Sequence, residues 1–352
     1  MNFRLSLLPF SLVYSGIAQF RNLLFNTGVF KQKEFKVPVI LVGNLSVGGT
    51  GKTPHVEFLI RLLRNDYRIA TLSRGYGRKS NGFVVAGKGV STDVIGDEPM
   101  QYYSKFEDIT VSVCEKRAEG IEKLLVSEKR PQVIIMDDGF QHRHVNPGFK
   151  ILLTSVDKLF TRDFVLPAGD LREPRSAYHR ADCIIVTRTE VGMSKTEKDA
   201  ITAEINPDPD QQLYFSSLVY DNPVHFYSAT KISLTDLQAR PVLLFTGIAN
   251  PAHLENFLKE KTSRLETVRF PDHHEYTLND IVALKQKFNK FTGLSPIVLT
   301  TEKDFQRLRN KDFMKELDSL PCYFIPVKIQ IDQEEAFTHT IRNYVKTNTG
   351  NS

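Results

Sequence analysis

A glycine-rich loop that runs into Lys52 and Thr53 is the part of this sequence best suited to chemistry. Residues 43–54 read Gly-Asn-Leu-Ser-Val-Gly-Gly-Thr-Gly-Lys-Thr-Pro, after an apolar run at 37–42 and before a helical pattern at 55–63. In that order, backbone N–H groups and a helix N-terminus point at nucleotide phosphates, Lys52 reaches the terminal phosphates and the Thr53 hydroxyl holds Mg²⁺. The loop therefore predicts transfer or hydrolysis at a nucleoside triphosphate.

The loop departs from the generic pattern G-x-x-x-x-G-K-[ST] at one position, because Ser46 takes the place of the first glycine. A glycine-rich loop that only turns the chain is the alternative interpretation, and the Lys-Thr pair between a strand and a helix argues against it. We predict that the residues holding the ATP phosphates are Ser46, Val47, Gly48, Gly49, Thr50, Gly51, Lys52 and Thr53.

Two acidic pairs are candidates for metal binding and proton transfer. Asp137 and Asp138 end an apolar strand, as the Mg²⁺-holding aspartate of phosphate-loop enzymes does, although such a pair also suits a turn or a helix cap. Asp97 and Glu98 open a predicted helix, where carboxylates favour the helix dipole without any function. The functional interpretation of this second pair is a base for a hydroxyl proton and an extra carboxylate near Mg²⁺.

Other polar residues are weaker candidates. Gln141 and His142 follow the aspartate pair and suit the wall of a site. Arg172 lies between prolines in a predicted loop, where a guanidinium suits phosphate recognition or simply faces solvent. Adjacent His273 and His274 suit either a polar loop or the tuning of a base, and the segment 301–304 (Thr-Glu-Lys-Asp) ends a strand as a motif that faces a nucleotide base does.

These residues need a scaffold, and short apolar runs alternate with helical patterns along the first half of the chain. Strands are predicted at 68–73, 110–113, 133–136, 151–154 and 183–187. Such alternation predicts an α/β fold with a mostly parallel sheet and helices on both faces. Ligands of such sheets bind at the carboxyl ends of the strands, and the motifs of this half follow strands.

The second half predicts a different organisation. Two aromatic, β-rich segments within 213–227 flank Asp221-Asn222-Pro223, a turn signal that predicts a two-stranded ribbon. Beyond it, strands and helices alternate again as a smaller α/β unit. The predicted boundaries are 1–35 for an N-terminal apolar segment, 36–212 for the phosphate-loop domain, 213–228 for the linker and 229–352 for a smaller domain that closes over the site.

Composition limits the class of protein. The 352 residues are 41% hydrophobic and 25% charged, with a net charge of +5, as in a soluble globular protein. This mild positive charge suits phosphate-bearing ligands or an anionic membrane surface and is too weak to indicate nucleic acid. The three cysteines lie far apart, without metal spacing, and are predicted to be reduced structural thiols.

The N-terminal 30 residues are apolar but broken by polar residues, so they predict neither a spanning helix nor a signal peptide. On a helix, a narrow polar stripe faces one side and a wide apolar surface faces the other. The stripe contains Arg4, Ser11, Ser15 and Asn22, and the far side contains Phe3, Leu7, Phe10, Tyr14 and Ile17. Such a helix lies in a membrane interface or packs into its own domain, and its basic flanking residues favour the membrane.

Together these segments resemble one family, the tetraacyldisaccharide 4′-kinases, which are the lipid A 4′-kinases of Gram-negative bacteria. The resemblance covers nearly the whole chain and runs through the N-terminal segment and residues 43–54, 73–79, 96–99, 137–143, 166–174, 270–276 and 299–304. A small hydroxyl residue at the position of Ser46 is usual in that family, whereas Asp170 stands where proline is expected.

The resemblance implies a P-loop NTPase-like fold and an ATP-dependent kinase of lipopolysaccharide synthesis. The kinase would transfer the γ-phosphate to the 4′-hydroxyl of a tetraacyl glucosamine disaccharide 1-phosphate, giving lipid IVA, with Mg²⁺ as cofactor. The cytoplasmic face of the inner membrane is the implied location, because removing acyl chains from a bilayer costs about 0.8 kcal/mol per CH₂. Neither nucleic acid nor an obligate protein partner is expected.

The resemblance also implies residue roles. Asp97 is the general base with His273 as its partner, His274 being the alternative, and Lys52 neutralises developing charge. The implied metal ligands are Thr53, Asp138, Glu98 and Asp137. The implied substrate-binding residues are Asn44, Arg74, Gln141, His142, Arg172 and Glu173.

Two other functions compete with this one. A phosphate-loop ATPase or GTPase that acts as a switch or chaperone on a protein partner needs no lipid, and the absence of an Asn-Lys-x-Asp guanine signature counts against a GTPase. A soluble small-molecule kinase is the other alternative, and the apolar N-terminus counts against it. Transfer of labelled phosphate from ATP to the disaccharide lipid distinguishes the three.

Overall fold

Short buried strands alternate with helices in a computed structural model that describes residues 3–272, 274–291, 295–309 and 311–349. In chain order, the strands are β1 (Val39–Asn44), β2 (Ile69–Ser73), β3 (Val84–Val85), β4 (Thr110–Val113), β5 (Val133–Asp137), β6 (Phe149–Ser155), β7 (Cys183–Thr189), β8 (Gln212–Tyr220), β9 (Val224–His225), β10 (Pro241–Thr246), β11 (Arg264–Arg269), β12 (Ile297–Thr301), β13 (Cys322–Ile325) and β14 (Val327–Ile331). The α-helices are α1 (Leu8–Asn26), α2 (Lys52–Leu63), α3 (Thr92–Ile95), α4 (Asp97–Lys105), α5 (Arg117–Leu125), α6 (Lys195–Ile205), α7 (Ala252–Lys261), α8 (Leu278–Phe288), α9 (Glu302–Leu308), α10 (Lys311–Leu317) and α11 (Glu334–Thr349).

Two compact units divide the chain, one of Met1–Leu218 with Ile329–Ser352 and one of Val219–Lys328. In the first unit, the described strands form a nine-stranded sheet in the order β14-β8-β7-β6-β1-β5-β2-β4-β3. Neighbours from β8 to β4 pair in parallel, and β3 pairs antiparallel with β4. The predicted α/β class, with a mostly parallel sheet, is confirmed.

Both faces of this sheet are covered, which is why its central strands are apolar throughout. Alternate residues of a strand point to opposite faces. Val39 and Leu41 of β1 join the core on one side with residues of α5 and α6, whereas Ile40 and Val42 join the core on the other side with residues of α2 and α4. The cysteines at 114, 183 and 322 are buried and free, as predicted.

The second unit has its own five-stranded sheet in the order β11-β10-β12-β13-β9 among the described strands. Its strands pair in parallel except for β9, which pairs antiparallel with β13. Apolar residues of β10 and β12 such as Leu244, Phe245 and Leu299 are almost completely buried and form its core with the surrounding helices. The prediction of a second, smaller α/β unit is confirmed.

Two details of the predicted domain organisation are wrong. The segments flanking Asp221-Asn222-Pro223 do not pair as a ribbon, because β8 lies in the larger sheet and β9 in the smaller one. The C-terminal residues from Ile329 onward belong to the first unit, not to the second. The physical reason is the apolar face of α11, whose Phe337, Ile341 and Val345 join the core that α2 covers.

Helix α1 turns its polar stripe toward the first unit and its apolar side outward. The Ser11 hydroxyl accepts a hydrogen bond from the Ala168 N–H at 2.9 Å, and Arg21 donates to the Gln141 carbonyl at 2.8 Å. Phe10, Ile17 and Phe20 remain 65%, 66% and 62% exposed. The helix therefore packs on its own unit through one side only, and its association with a membrane stays a prediction.

In the described part of the chain, every helix is too short or too polar to cross a membrane.

Candidate active site

The phosphate loop connects the end of β1 to the first turn of α2, as predicted. Gly51 has φ +85°, a left-handed conformation that glycine adopts without strain, and it leads directly into Lys52 at the start of the helix. The buried Asn44 side chain lies inside the loop, where its Nδ2 donates to the Thr50 hydroxyl at 3.0 Å. Asn44 thus holds the loop in shape, and its Oδ1 accepts from Lys52 at 3.5 Å.

The rim of the loop is fastened to the segment that follows β6. The Val47 N–H donates to the Asp170 carbonyl at 2.8 Å, and Ser46 forms a bridge with Leu171. The Asp170 carboxylate accepts from Arg4 at 2.7 Å and also pairs with Lys158. Asp170, which stands where the resemblance predicts proline, therefore links the N-terminal segment to the phosphate loop.

Asp138 directly follows β5 next to the loop, has φ +49° and forms ion pairs with two cationic side chains. Its Oδ1 lies 3.6 Å from Lys52 Nζ, and its Oδ2 lies 3.3 Å from Arg172 Nη1. Burial alone would raise the pKa of Asp138, but the positive charges of Lys52 and Arg172 lower it below 3.8. Asp138 is therefore held as a carboxylate, in contact with the lysine that the sequence assigns to the phosphates.

Its neighbour Asp137 is buried, and its surroundings disfavour the ionised carboxylate instead of stabilising it. Oδ2 accepts from the Tyr102 hydroxyl at 3.1 Å and from the Ser73 hydroxyl at 3.4 Å. Among the described residues, Asp137 Oδ1 meets no hydrogen-bond partner. Burial, followed by the negative charge of Asp138, raises the pKa of Asp137 to about 6. A buried carboxylate oxygen without a partner suits a hard cation such as Mg²⁺.

Arg117, at the start of α5, is a site residue that the sequence analysis missed. It is buried and donates to the carbonyls of Cys114 at 2.6 Å and of Asp137 and Asp138 at 3.4 Å. Burial lowers the pKa of Arg117 to about 10, against the opposing charges of the two aspartates. No motif signalled this role, because an arginine at a predicted helix start is usually exposed.

Tyr102 is the second missed residue. Its hydroxyl donates to Asp137 and also bonds the Thr53 side chain, so it connects α4 to the two groups that the sequence assigns to the metal. Burial raises the pKa of Tyr102 well above 10, and the charges of Asp137 and Glu98 add to this effect. Tyr102 therefore stays a neutral donor throughout the physiological range.

Asp97 and Glu98 form the first turn of α4, where carboxylates also favour the helix dipole. Both side chains are partly buried. The negative charge of Glu98 contributes to the raised pKa values of Asp137 and Tyr102, which brings the two acidic pairs into one electrostatic site. Buried Glu57 of α2 fastens α4 in place by accepting from Gln101 at 2.7 Å and from Lys105 at 2.7 Å.

The remaining predicted site residues form a basic wall beside Asp138. Gln141 donates to the Asn44 carbonyl at 2.9 Å and lies 3.5 Å from Arg172. Burial, together with the charges of Arg117 and Arg74, lowers the pKa of His142 to about 4, so its imidazole is neutral at neutral pH. Arg74 is exposed directly after β2. This wall suits an anionic ligand.

Glu173, a predicted substrate-binding residue, is buried and does not line the surface of the site. It is 2% exposed, and its Oε2 accepts from Arg180 at 2.6 Å and from Asn22 of α1 at 3.5 Å. Its buried Oε1 has no hydrogen-bond partner within the described ranges. Glu173 therefore joins α1 to the wall of the site.

The second unit contains the predicted histidine pair. His273 lies outside the described residues. His274 Nε2 lies 3.1 Å from Asp280 Oδ2, and its ring stacks on Phe270 with centroids 4.6 Å apart. The segment 301–304 caps α9 instead of presenting free groups, because buried Asp304 accepts from Thr301 at 2.7 Å and from the Gly247 N–H at 3.1 Å.

Within the described ranges, no three His, Cys, Asp or Glu side chains group as a metal site. This result is compatible with Mg²⁺, which proteins usually bind through one or two carboxylates while phosphates and water supply the other ligands. The donor set fits that pattern, since Asp137, Asp138 and the Thr53 hydroxyl meet beside the phosphate loop.

Comparison with known proteins gives one consistent result. Residues 3–346 match the family described as Tetraacyldisaccharide-1-P 4'-kinase. The tetraacyldisaccharide 4'-kinase of Flavobacterium johnsoniae is 42% identical over 344 residues, which cover 97% of each chain. That of Bacteroides thetaiotaomicron is 43% identical over 359 residues, which cover 98% of this chain and 94% of the relative.

A solved structure is similar over the same length. The crystal structure of LpxK from Aquifex aeolicus in complex with ATP has a TM-score of 0.76 and 32% sequence identity, covering 97% of this chain and 99% of that one. The similarity extends through both units.

Proposed function

This chain belongs to the tetraacyldisaccharide-1-P 4′-kinase family, and we propose that the carboxyl edge of its larger sheet is where phosphate is transferred. The protein is a kinase of lipid A biosynthesis that uses ATP and acts on a lipid disaccharide. The γ-phosphate passes to the 4′-hydroxyl of a tetraacyl glucosamine disaccharide 1-phosphate, and the product is lipid IVA.

The observation that carries the proposal is the position of Lys52 between the loop and Asp138. Its ammonium lies 3.6 Å from the carboxylate, and Arg172 reaches the same carboxylate from the other side at 3.3 Å. Phosphoryl transfer needs positioned cations around the oxygens on which charge develops, and little covalent chemistry from the protein. Lys52 supplies such a charge on the donor side and Arg172 on the acceptor side.

Mg²⁺ would be held by Thr53 and Asp138, with Asp137 and Glu98 beside them. When bound, the ion neutralises charge on the β- and γ-phosphates of the nucleotide. Asp137 Oδ1, which meets no hydrogen-bond partner in the described part of the chain, supports this role. The hydrogen bond between Tyr102 and Thr53 also supports it, because it keeps the Thr53 hydroxyl next to the acidic pair. The charges of Lys52 and Arg172 lower the pKa of Asp138, so Asp138 would offer the ion an ionised carboxylate at neutral pH.

Asp97 is our candidate for the general base. It would accept the proton of the 4′-hydroxyl while the oxygen forms its bond to the γ-phosphorus and the bond to the β-γ bridging oxygen breaks. Its place at the start of α4, one residue from Glu98 and fastened through Glu57, supports this role. The assignment of His273 as the partner of Asp97 rests on the family resemblance.

The acceptor would bind along the basic wall. Arg172, Gln141 and His142 line it beside Asp138, and exposed Arg74 adds a positive charge that suits the 1-phosphate. Asn44 and Glu173 support this site without lining it, because Asn44 shapes the phosphate loop and Glu173 anchors α1 against the wall.

We also propose that the exposed side of α1 lies in the cytoplasmic surface of the inner membrane. The polar side of the helix bonds the acceptor wall, while Phe10, Ile17 and Phe20 point away from the unit. An apolar helix side of this kind inserts into the boundary between headgroups and acyl chains. Such a helix would present the lipid substrate next to the wall without spanning the bilayer.

A vesicle experiment tests the membrane proposal. Burying most of a large apolar side chain is worth about 1.5–3 kcal/mol, so replacing Phe10, Ile17 and Phe20 by glutamine removes about 4.5–9 kcal/mol and lowers partitioning by more than about 1000-fold. The control replaces exposed Val126 and Val191 by glutamine, which leaves partitioning unchanged. Equal sedimentation of both variants with anionic vesicles would refute the insertion of α1.

The central test of function is phosphate transfer. Purified protein is incubated with γ-labelled ATP, Mg²⁺ and tetraacyldisaccharide 1-phosphate, and we expect the label on the lipid at the 4′ position. Label that appears only as free phosphate would contradict the kinase function and would favour a phosphate-loop ATPase that serves a protein partner.

A further inference from the structure

The strand β7 ends in an irregularity beside the phosphate loop. Its pairing with β8 shifts register between Val186 and Thr189, and Arg188 between them has φ +59°. A left-handed backbone at a residue other than glycine is uncommon and costs free energy, and bulges of this kind re-aim a side chain. The irregularity therefore directs the Arg188 side chain away from the regular ladder.

Two contacts connect this irregularity to the phosphate loop. The Thr187 hydroxyl donates to the carbonyl oxygen of Thr50 at 2.9 Å. A Cβ atom added at Gly49 would lie 3.4 Å from Arg188 Nη2, so the guanidinium lies directly against the glycine of the loop. Both sides of this contact are built for close approach, one by a bulge and the other by the absence of a side chain.

The order of the strands in the larger sheet indicates on which side of β1 the nucleoside of a bound nucleotide would lie. Lys52 and Asp138 place the terminal phosphates on the β5 side of β1. The nucleoside must then leave the loop on the opposite side, toward β6 and β7. Two strand spacings are about 10 Å, which is the reach of a ribose and base beyond the phosphates.

We propose that Arg188 stacks on the nucleobase of the phosphate donor and that the segment 187–190 forms the nucleoside end of the site. This proposal rests on the proposed function, whose donor is ATP. A planar guanidinium stacks on a flat aromatic ring and attracts its π-face, which a lysine ammonium does less well. The bulge holds this plane beside the loop, and Thr187 keeps the distance between strand and loop constant.

The segment 301–304, whose sequence also suits a base contact, does not offer its aspartate for this role. Asp304 is completely buried and accepts hydrogen bonds from the Thr301 hydroxyl and the Gly247 N–H. It also forms an ion pair with Arg307 at 3.1 Å. The corresponding segment after β7 instead presents a partly exposed Arg188 and an exposed Glu190. The end of β7 is therefore the better place for a nucleobase.

Calorimetric titration of the full chain with ATP and with inorganic triphosphate tests the assignment. The variant R188N removes the guanidinium with a residue that tolerates the left-handed backbone, and R188K keeps the charge. The control R64N removes an exposed arginine that pairs with Asp108 at the end of α2. Thermal unfolding without nucleotide verifies that each variant is folded.

The informative quantity is the affinity for ATP divided by the affinity for triphosphate, because it cancels the loss of charge. We expect this ratio to fall about tenfold in R188N, at least threefold in R188K and not at all in R64N. An unchanged ratio in R188N, with or without weaker binding of both ligands, overturns the proposal. Phosphate transfer by the wild-type protein tests the kinase function separately, because the ratio is measured without acceptor.

Discussion

Asp137 belongs to the candidate metal site, yet we expect its replacement by asparagine to stabilise the metal-free protein relative to the wild type. This stabilisation should grow as the pH rises. The side chain is buried, and its Oδ1 lacks a hydrogen-bond partner among the described residues. Burial, reinforced by the charges of Asp138 and Glu98, raises its pKa to about 6. Without a cation, ionisation of this carboxyl group therefore opposes folding.

The sign and size follow from the linkage between proton binding and unfolding. Between about pH 4 and pH 6 the folded chain keeps the Asp137 proton that the unfolded chain has released, so the free energy of unfolding falls as the pH rises. The difference between 3.8 and about 6 corresponds to about 3 kcal/mol in full. Between pH 4 and pH 7.5, the wild type should lose about 2–3 kcal/mol relative to D137N.

Urea unfolding in the presence of a chelator, at pH 4 and at pH 7.5, measures this difference. Asp138 is the matched control, because the charges of Lys52 and Arg172 lower its pKa against the effect of burial. Its stabilising contribution is lost only as the pH falls below about 4, so D138N should differ from the wild type almost equally at both pH values. A D137N difference that does not change with pH would refute the inference that ionisation of Asp137 opposes folding without a cation.

Three further substitutions test other parts of the site. D97N should lower kcat by ~10²–10⁴ in the label-transfer assay while ATP affinity stays within about twofold, and a normal kcat would exclude Asp97 as the base. K52A should lower kcat by about 10²–10³, the usual effect of removing one group that stabilises transition-state charge, and intact turnover would overturn the phosphate-loop assignment. E57Q should reduce the free energy of unfolding, measured in urea, by about 2 kcal/mol. This is less than the loss expected for a fully buried ion pair, because Arg61 and Lys105 reach solvent. An unchanged urea midpoint would show that Glu57 does not hold α2 to α4.

Local sequence predicted the phosphate loop and its flanking elements correctly. Apolar runs of five or six residues that alternate with helices are typical of a parallel sheet covered on both faces, and Lys-Thr after a glycine-rich loop is typical of a helix start. The predicted strands at 68–73, 133–136 and 183–187 correspond to β2, β5 and β7 within two residues at each end. These features depend on residues close together in the chain.

Contacts between distant residues were not predictable in the same way. Periodicity separated the polar stripe of α1 from its apolar side, but only the bonds from Arg21 to Gln141 and from Asn22 to Glu173 show which side the protein covers. The pairing of β8 and β9 with different sheets and the return of α11 to the first unit depend on contacts between residues that are far apart in the chain.

The chemistry divides in the same manner. Residue types and their spacing are enough to predict a phosphate loop, two acidic pairs and a broken apolar N-terminus, because those features are local. The difference in pKa between Asp137 and Asp138 is visible only in the folded chain, since burial and the neighbouring charges of Lys52 and Arg172 set it. The same holds for Arg117 and Arg188, whose neighbours come from other strands and loops and leave no local pattern in the chain.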